Sequence, residues 1–131
     1  MKTSIILVSL TLTAVAAGVM AQAPTFKRTV LQQVDLSIPG KEAVTAVAEF
    51  QPNAVAGRHT HPGEEVGYVI EGTVLVEIDG KPAQTVTAGK AFLIPAGAIH
   101  NATNKGTGVA KILATYIVEK GKPVATPAAT K

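Results

Sequence analysis

The three histidines of this 131-residue chain fall in only two segments. His59 and His61 lie one residue apart in GRHTHPGEEVGYVIEG at 57–72, and His100 follows the turn Pro-Ala-Gly at 95–97. Side chains at positions i and i+2 of a strand point to the same side, so the pair should project together. Because neutral imidazole is the commonest protein ligand for metals, the spacing predicts that the two histidines bind one metal ion together.

A carboxylate follows the pair after a short turn. Glu65 comes four residues after His61, beyond Pro62–Gly63, and Glu64 competes for the same role because the sequence does not fix the turn geometry. With His100 from another strand, three nitrogens and one oxygen would hold a divalent ion and leave positions open. The alternative is that these histidines are surface or hydrogen-bonded residues without a metal.

The same residues resemble the two sequence motifs of the cupins. The first motif matches at His59, His61, Glu65 and Gly72, and the second at Gly89, Pro95, Gly97, His100 and Asn104. This register favours Glu65 over Glu64. The chain departs from the family pattern at Asn53, where a glycine is frequent, but asparagine tolerates left-handed backbone geometry better than most residues.

The resemblance implies a fold and a cofactor. The fold would be all-β, a cupin β-barrel or jelly roll of two antiparallel sheets. The barrel would enclose one divalent transition metal ion held by His59, His61, Glu65 and His100. Fe²⁺ or Mn²⁺ are the first expectations, and Ni²⁺, Cu²⁺ or Zn²⁺ are alternatives.

The elements read from the sequence agree with that fold. Twelve glycines and eight prolines separate short apolar runs, which is typical of many short strands. We expect a flexible lead at 22–28, the barrel at 29–119 and a mobile tail at 120–131. Asp79–Gly80 is a strong hairpin signal.

The first 21 residues have the layout of a secretory signal peptide. Lys2 precedes an uncharged apolar stretch, and Val19 and Ala21 occupy the small-residue positions before a cleavage site. A membrane anchor is the competing interpretation. The signal peptide predicts a periplasmic or secreted protein that is not attached to a membrane after cleavage.

Several residues are candidates for the wall of the site. Gly67 should face inward two residues after Glu65 and open space near the ion, and Phe50, Tyr68 and Phe92 are candidate pocket-wall residues. Tyr116 should face either the cavity or a dimer partner. Arg58 should point away from the metal by alternation, so the pocket shows no cation for a substrate carboxylate.

Composition excludes other classes of function. The formal net charge is +3 without any basic cluster, so nucleic-acid binding has no support. Cysteine is absent, which excludes disulfides and a thiol nucleophile. Because small cupins often form dimers, we expect a homodimer, for which the strand at 109–119 is an available edge.

The leading expectation is an exported metalloenzyme, a dioxygenase acting on a small aromatic or other apolar organic compound. A variant is metal-assisted isomerase, hydrolase or lyase chemistry with Glu65 as a catalytic base. The alternative is a non-enzymatic module that binds a small ligand or metal in the periplasm, because cupins host many unrelated functions.

Overall fold

A computed structural model describes residues 22–129, which form ten β-strands and no helix. The strands are β1 Phe26–Asp35, β2 Lys41–Phe50, β3 His59–Thr60, β4 Gly63–Glu71, β5 Thr73–Ile78, β6 Gln84–Thr87, β7 Ala91–Ile94, β8 His100–Asn104, β9 Ala110–Glu119 and β10 Thr126–Pro127. Among these residues no helix is long and apolar enough to cross a membrane. The expected signal peptide lies outside the described residues.

Two five-stranded antiparallel sheets make up the barrel. The first, sheet A, has the order β1-β2-β9-β4-β7, and the second, sheet B, has the order β10-β3-β8-β5-β6. The expected all-β fold of two antiparallel sheets is therefore confirmed. The strand at 110–119 is central in sheet A, so the expectation that it offers a free edge is wrong.

Strict alternation of side chains explains how the sheets close on one core. Along β2 and β9, every second residue is buried and the residues between are half-exposed. The buried set is mostly small and β-branched, with Val44, Ala46, Ile112 and Ala114 at most 2% exposed. Such side chains fit a pleated surface and bring the facing sheets close together.

A buried asparagine fixes the loops at one end of the barrel. Nδ2 of Asn104 donates to the carbonyls of Phe50 and Gly108, and its Oδ1 accepts from the amide of Gly106. Asn53 has a φ of 64°, which is the left-handed geometry that the sequence suggested for this position.

Both ends of the barrel contain more regular structure than the sequence indicated. β1 begins at Phe26, inside the expected flexible lead, because Phe26 pairs with Phe50 across the sheet and their ring centroids lie 4.7 Å apart. In the expected mobile tail, Thr126 pairs with Thr60, so β10 forms the edge of sheet B beside β3.

Candidate metal centre

The four predicted ligand residues meet inside the barrel. His59 of β3 lies opposite His100 of β8 in sheet B, His61 occupies the turn after β3, and Glu65 projects from β4 in sheet A. All four residues are buried, and their candidate ligand atoms lie within 4.8 Å of one another. Glu64, the competing carboxylate, is exposed on the outer face of β4.

The backbone fixes the tautomer of every imidazole. Each Nδ1 lies beside a carbonyl oxygen, at 2.6 Å for His59 to Gly57, 2.5 Å for His61 to Val124 and 2.9 Å for His100 to Ala98. A carbonyl oxygen can only accept, so each Nδ1 must carry the proton and donate it. In the neutral form of each ring, Nε2 then carries a lone pair, and this is the form that binds a metal.

Glu65 brings negative charge against these lone pairs. Its Oε2 lies 2.9 Å from Nε2 of His61 and 3.4 Å from Nε2 of His100. Since both nitrogens present lone pairs, a proton or a cation must lie between them and the carboxylate. Nε2 of His100 is buried without a hydrogen-bond partner, which is costly unless something binds it. The donor set therefore fits a divalent cation.

Burial and neighbouring charge shift two titrations in the direction that metal binding needs. Burial lowers the pKa of His59 from 6.5 to about 4, which keeps its imidazole neutral. Burial alone would raise the pKa of Glu65, but its contacts with His100 and His61 outweigh that effect and lower the pKa to about 2. A neutral imidazole and an ionised carboxylate are the forms that coordinate metals.

A small cavity opens beside three of the four residues, His59, Glu65 and His100. The centre of a water molecule can reach ≈ 20 Å³ of it, which is room for about one or two waters. Phe50, Phe92 and Tyr116 contribute to its wall, and Tyr116 packs its ring 4.6 Å from that of His61. Burial, helped by the charge of Glu65, raises the pKa of Tyr116 to about 12, so its hydroxyl stays protonated.

Two wall expectations need correction. Tyr68 does not line the cavity, because it neighbours the inward-facing Gly67 and alternation places its side chain on the outer face, 47% exposed. Gly67 does face inward, but it does not leave open space. The ring of Phe92 fills the room, and a Cβ built on Gly67 would lie 2.2 Å from a ring carbon.

The sequence interpretation missed a cation at the site. Arg28 lines the cavity from β1, where it pairs with Ala48 on the inward face of sheet A. Arg58 points away as expected, and its guanidinium binds both carboxylate oxygens of Asp79. The signal for Arg28 was its position two residues after Phe26, which places both side chains on one face of a strand.

Comparison with known proteins assigns the chain to a family. The sequence profile of the cupin domain matches residues 46–116, which is more than half of the chain. The chain belongs to the cupin domain family. The matched range of this cupin contains all four residues of the candidate metal centre.

Curated relatives of this cupin share a part of their length with it. The HTH-type transcriptional regulator PuuR of Escherichia coli is 30% identical over 79 residues, which cover 60% of this chain and 42% of that protein. Germin-like protein 1-1 of Oryza sativa is 31% identical over 88 residues, covering 61% of this chain and 41% of that protein. The match thus spans about two fifths of either relative.

Solved structures share its fold. A double-stranded β-helix protein from Klebsiella pneumoniae superposes with a TM-score of 0.65 at 18% identity, covering 82% of this cupin and 85% of that chain. Oxalate oxidase in complex with the substrate analogue glycolate superposes with a TM-score of 0.59 at 25% identity, covering 72% of this cupin and 53% of that chain.

Proposed function

We propose that this cupin is a metal-dependent enzyme that uses a divalent ion, Fe²⁺ or Mn²⁺ first, to oxygenate a small organic compound. The observation that carries the proposal is the convergence of three imidazoles and one carboxylate, whose candidate ligand atoms lie within 4.8 Å of one another. A redox-active ion held by His59, His61, Glu65 and His100 would make a reaction with oxygen possible. No side chain of the cavity can carry out that reaction by itself.

The residues around the centre are suited to protect such a reaction. The apolar faces of Phe50 and Phe92 limit the entry of bulk water, and the small cavity admits only the reacting end of a ligand. The carboxylate of Glu65 borders the same cavity, so it can accept a proton from a bound compound. Oxalate oxidase, the 25%-identical structural relative, is an oxidase by name, which supports oxygen chemistry.

The test is metal loading followed by oxygen uptake. Mature protein without a histidine tag is analysed for bound metals, loaded anaerobically with Fe²⁺ and mixed with catechols, flavonols and diketones. We expect oxygen consumption with at least one compound, and its loss in His100→Ala, because that change removes one nitrogen donor. Failure of every divalent metal to bind the folded protein would refute the proposal.

A second candidate is a non-enzymatic module that binds a small ligand or a metal. The small volume of the inner cavity favours it, because little room remains for two reactants beside an ion. Tight metal or ligand binding without oxygen uptake or any change in the ligand would favour this module over the enzyme.

Export is part of the proposal. Its support is the sequence of residues 1–21, with Lys2, the apolar stretch and the small residues that precede Gln22. Expression of the full chain in a bacterial host, followed by fractionation and an intact mass, tests it. We expect a periplasmic product shortened by the signal peptide, and an uncleaved cytoplasmic product would contradict export.

We also propose a homodimer formed through the outer face of sheet A. Val66, Tyr68 and Leu93 are 43–56% exposed there and adjoin one another across β4 and β7. At one end of this face, residues of alternating charge adjoin across four strands: Lys27, Glu49, Lys111 and Glu71. A second copy turned by a half rotation can oppose unlike charges along this row. Sedimentation should show a dimer that Val66→Glu dissociates, and a monomeric wild type would contradict this.

A further inference from the structure

Arg28 holds a permanent positive charge at the boundary between the metal cavity and the exterior. Its guanidinium carbon lies 5.6 Å from the ring centroid of Phe26 and 5.3 Å from that of Tyr116. The residue lines both the inner cavity and a groove of ≈ 230 Å³ outside it. A ligand that occupies both spaces would therefore lie beside this charge.

The guanidinium of Arg28 contacts the Tyr116 hydroxyl, and this contact leaves most of its five N–H donors unused. Its Nε is buried and has no hydrogen-bond partner. Within residues 22–129 no carboxylate forms an ion pair with Arg28, whereas Arg58 at the same groove is held by Asp79. A buried donor on a charged group without an acceptor is destabilising, and a planar guanidinium matches a carboxylate with two parallel N–H donors.

The surroundings define what the rest of the ligand must be. The inner cavity has room for about one or two waters, so only a small reacting group fits beside His59 and His100. The outer groove is larger and carries the apolar surfaces of Phe26, Ala56 and Pro127. A compound with one anionic group and a small apolar body satisfies both regions.

We propose that Arg28 is the anion-binding residue of this site and that the ligand is a small organic carboxylate, whose carboxylate pairs with the guanidinium while its apolar body lies in the groove. The inference rests on the proposed function, because it places the reacting end of that ligand at the metal centre. It also reverses the expectation from sequence that the pocket lacks a cation for an acid.

Binding of matched probes tests the proposal without turnover. Benzoate, phenylacetate and butyrate are titrated by calorimetry against their amides, with the protein metal-free and loaded with redox-inactive Zn²⁺. We expect at least one carboxylate to bind about tenfold to a hundredfold more tightly than its amide in both forms, as a charge-assisted pair provides. Equal affinity for each carboxylate and its amide would overturn the proposal.

Substitutions locate that preference. Arg28→Gln should lose the preference for the carboxylate over its amide. Arg28→Lys should keep a part of that preference, because lysine keeps the positive charge but lacks the planar guanidinium with its two parallel N–H donors. Lys105→Gln is the matched control: it removes the same unit of positive charge from an exposed residue that lines neither the cavity nor the groove, and it should bind as wild type. A carboxylate preference that survives Arg28→Gln, from direct contact with the metal for instance, would overturn the assignment.

A measurement on the unaltered protein covers the case in which the Arg28 variants do not fold. The ¹⁵N–¹H resonance of the Arg28 Nε should shift on addition of the preferred carboxylate and not with its amide. An unshifted resonance would contradict the pairing. Because the metal-free arm needs no ion, carboxylate binding without metal binding refutes only the proposed function, and metal binding without carboxylate preference refutes only this inference.

Discussion

Nδ1 of His61 donates a hydrogen bond of 2.5 Å to the carbonyl of Val124, which lies 63 positions further along the chain. The contact is possible because Thr126 pairs with Thr60 and brings the C-terminal segment against β3. This segment fixes the ring orientation of a candidate metal ligand, and Pro127 also borders the groove outside the cavity. The last described residues are therefore a part of the site.

Removal of this segment should weaken metal binding. A chain ending at Pro123 lacks the carbonyl that orients His61, and loss of such an orienting partner typically lowers metal affinity about 10- to 100-fold. Competition with a chelating dye measures the affinity. A chain ending at Ala129 retains all of these contacts and should bind as wild type. Unchanged affinity in a folded chain ending at Pro123 would contradict this role.

Replacement of Glu65 should abolish tight metal binding, whereas replacement of its neighbour should not. Glu65→Gln keeps the size of the side chain but removes the negative charge and leaves an amide, a poorer ligand for a divalent ion. Glu64→Gln makes the same chemical change on the outer face of β4. Metal content after dialysis, measured by mass spectrometry, should fall in the first variant only. Equal metal content in both variants would rule out Glu65 as a ligand.

Acid should destabilise the metal-free protein in two steps. Because the pKa of His59 is lowered from 6.5 to about 4, the unfolded chain takes up a proton that the folded chain resists, and stability falls from about pH 6.5 to 4. The lowered pKa of Glu65, about 2 against 4.5, adds stability above pH 4.5 that is lost as the pH falls towards 2.

Urea midpoints of the metal-free protein between pH 7 and 3 measure both steps. In His59→Asn the first step should disappear, so the midpoint should stay nearly flat between pH 6.5 and 4.5. A wild-type midpoint that rises on acidification through this range would show that His59 is charged in the folded state.

A methyl group at Gly67 should disturb the cavity wall. A Cβ there would lie 2.2 Å from Phe92, so the ring must move, and overpacking of this kind costs about 1–3 kcal/mol. Gly108→Ala is the control, because its Cβ meets nothing within 4 Å. Denaturant unfolding of Gly67→Ala, Phe92→Ala and the double variant should show a smaller penalty for the added methyl when the ring is absent. An additive double variant would mean that the ring does not oppose the methyl group.

The sequence predicted most strands because their pattern is local. The hairpin signal Asp79–Gly80 lies between β5 and β6, which pair antiparallel as expected. The meeting of His100 with His59 is different, since it depends on the pairing of β3 with β8. The alternation of residues within one strand does not show which strands pair. Only the resemblance to the cupins implied that these two histidines meet.

The elements that the sequence did not predict depend on partners far away in the chain. Lys27 and Arg28 read as a polar lead, and they form a strand because β2 offers an edge. β10 has two residues and no apolar alternation, so its pairing with β3 was not visible. Arg28 as a wall of the cavity was missed for the same reason.

All three imidazoles are oriented by main-chain carbonyls. Side-chain substitutions cannot delete a carbonyl, so changes at Phe50, Phe92 or Arg28 can reshape the compartment while the nitrogen donors keep their tautomers. The barrel thus separates the residues that would hold the proposed ion from those that would select the proposed ligand. Laboratory evolution under selection for new ligands could then change the cavity wall while the four candidate metal ligands remain constant.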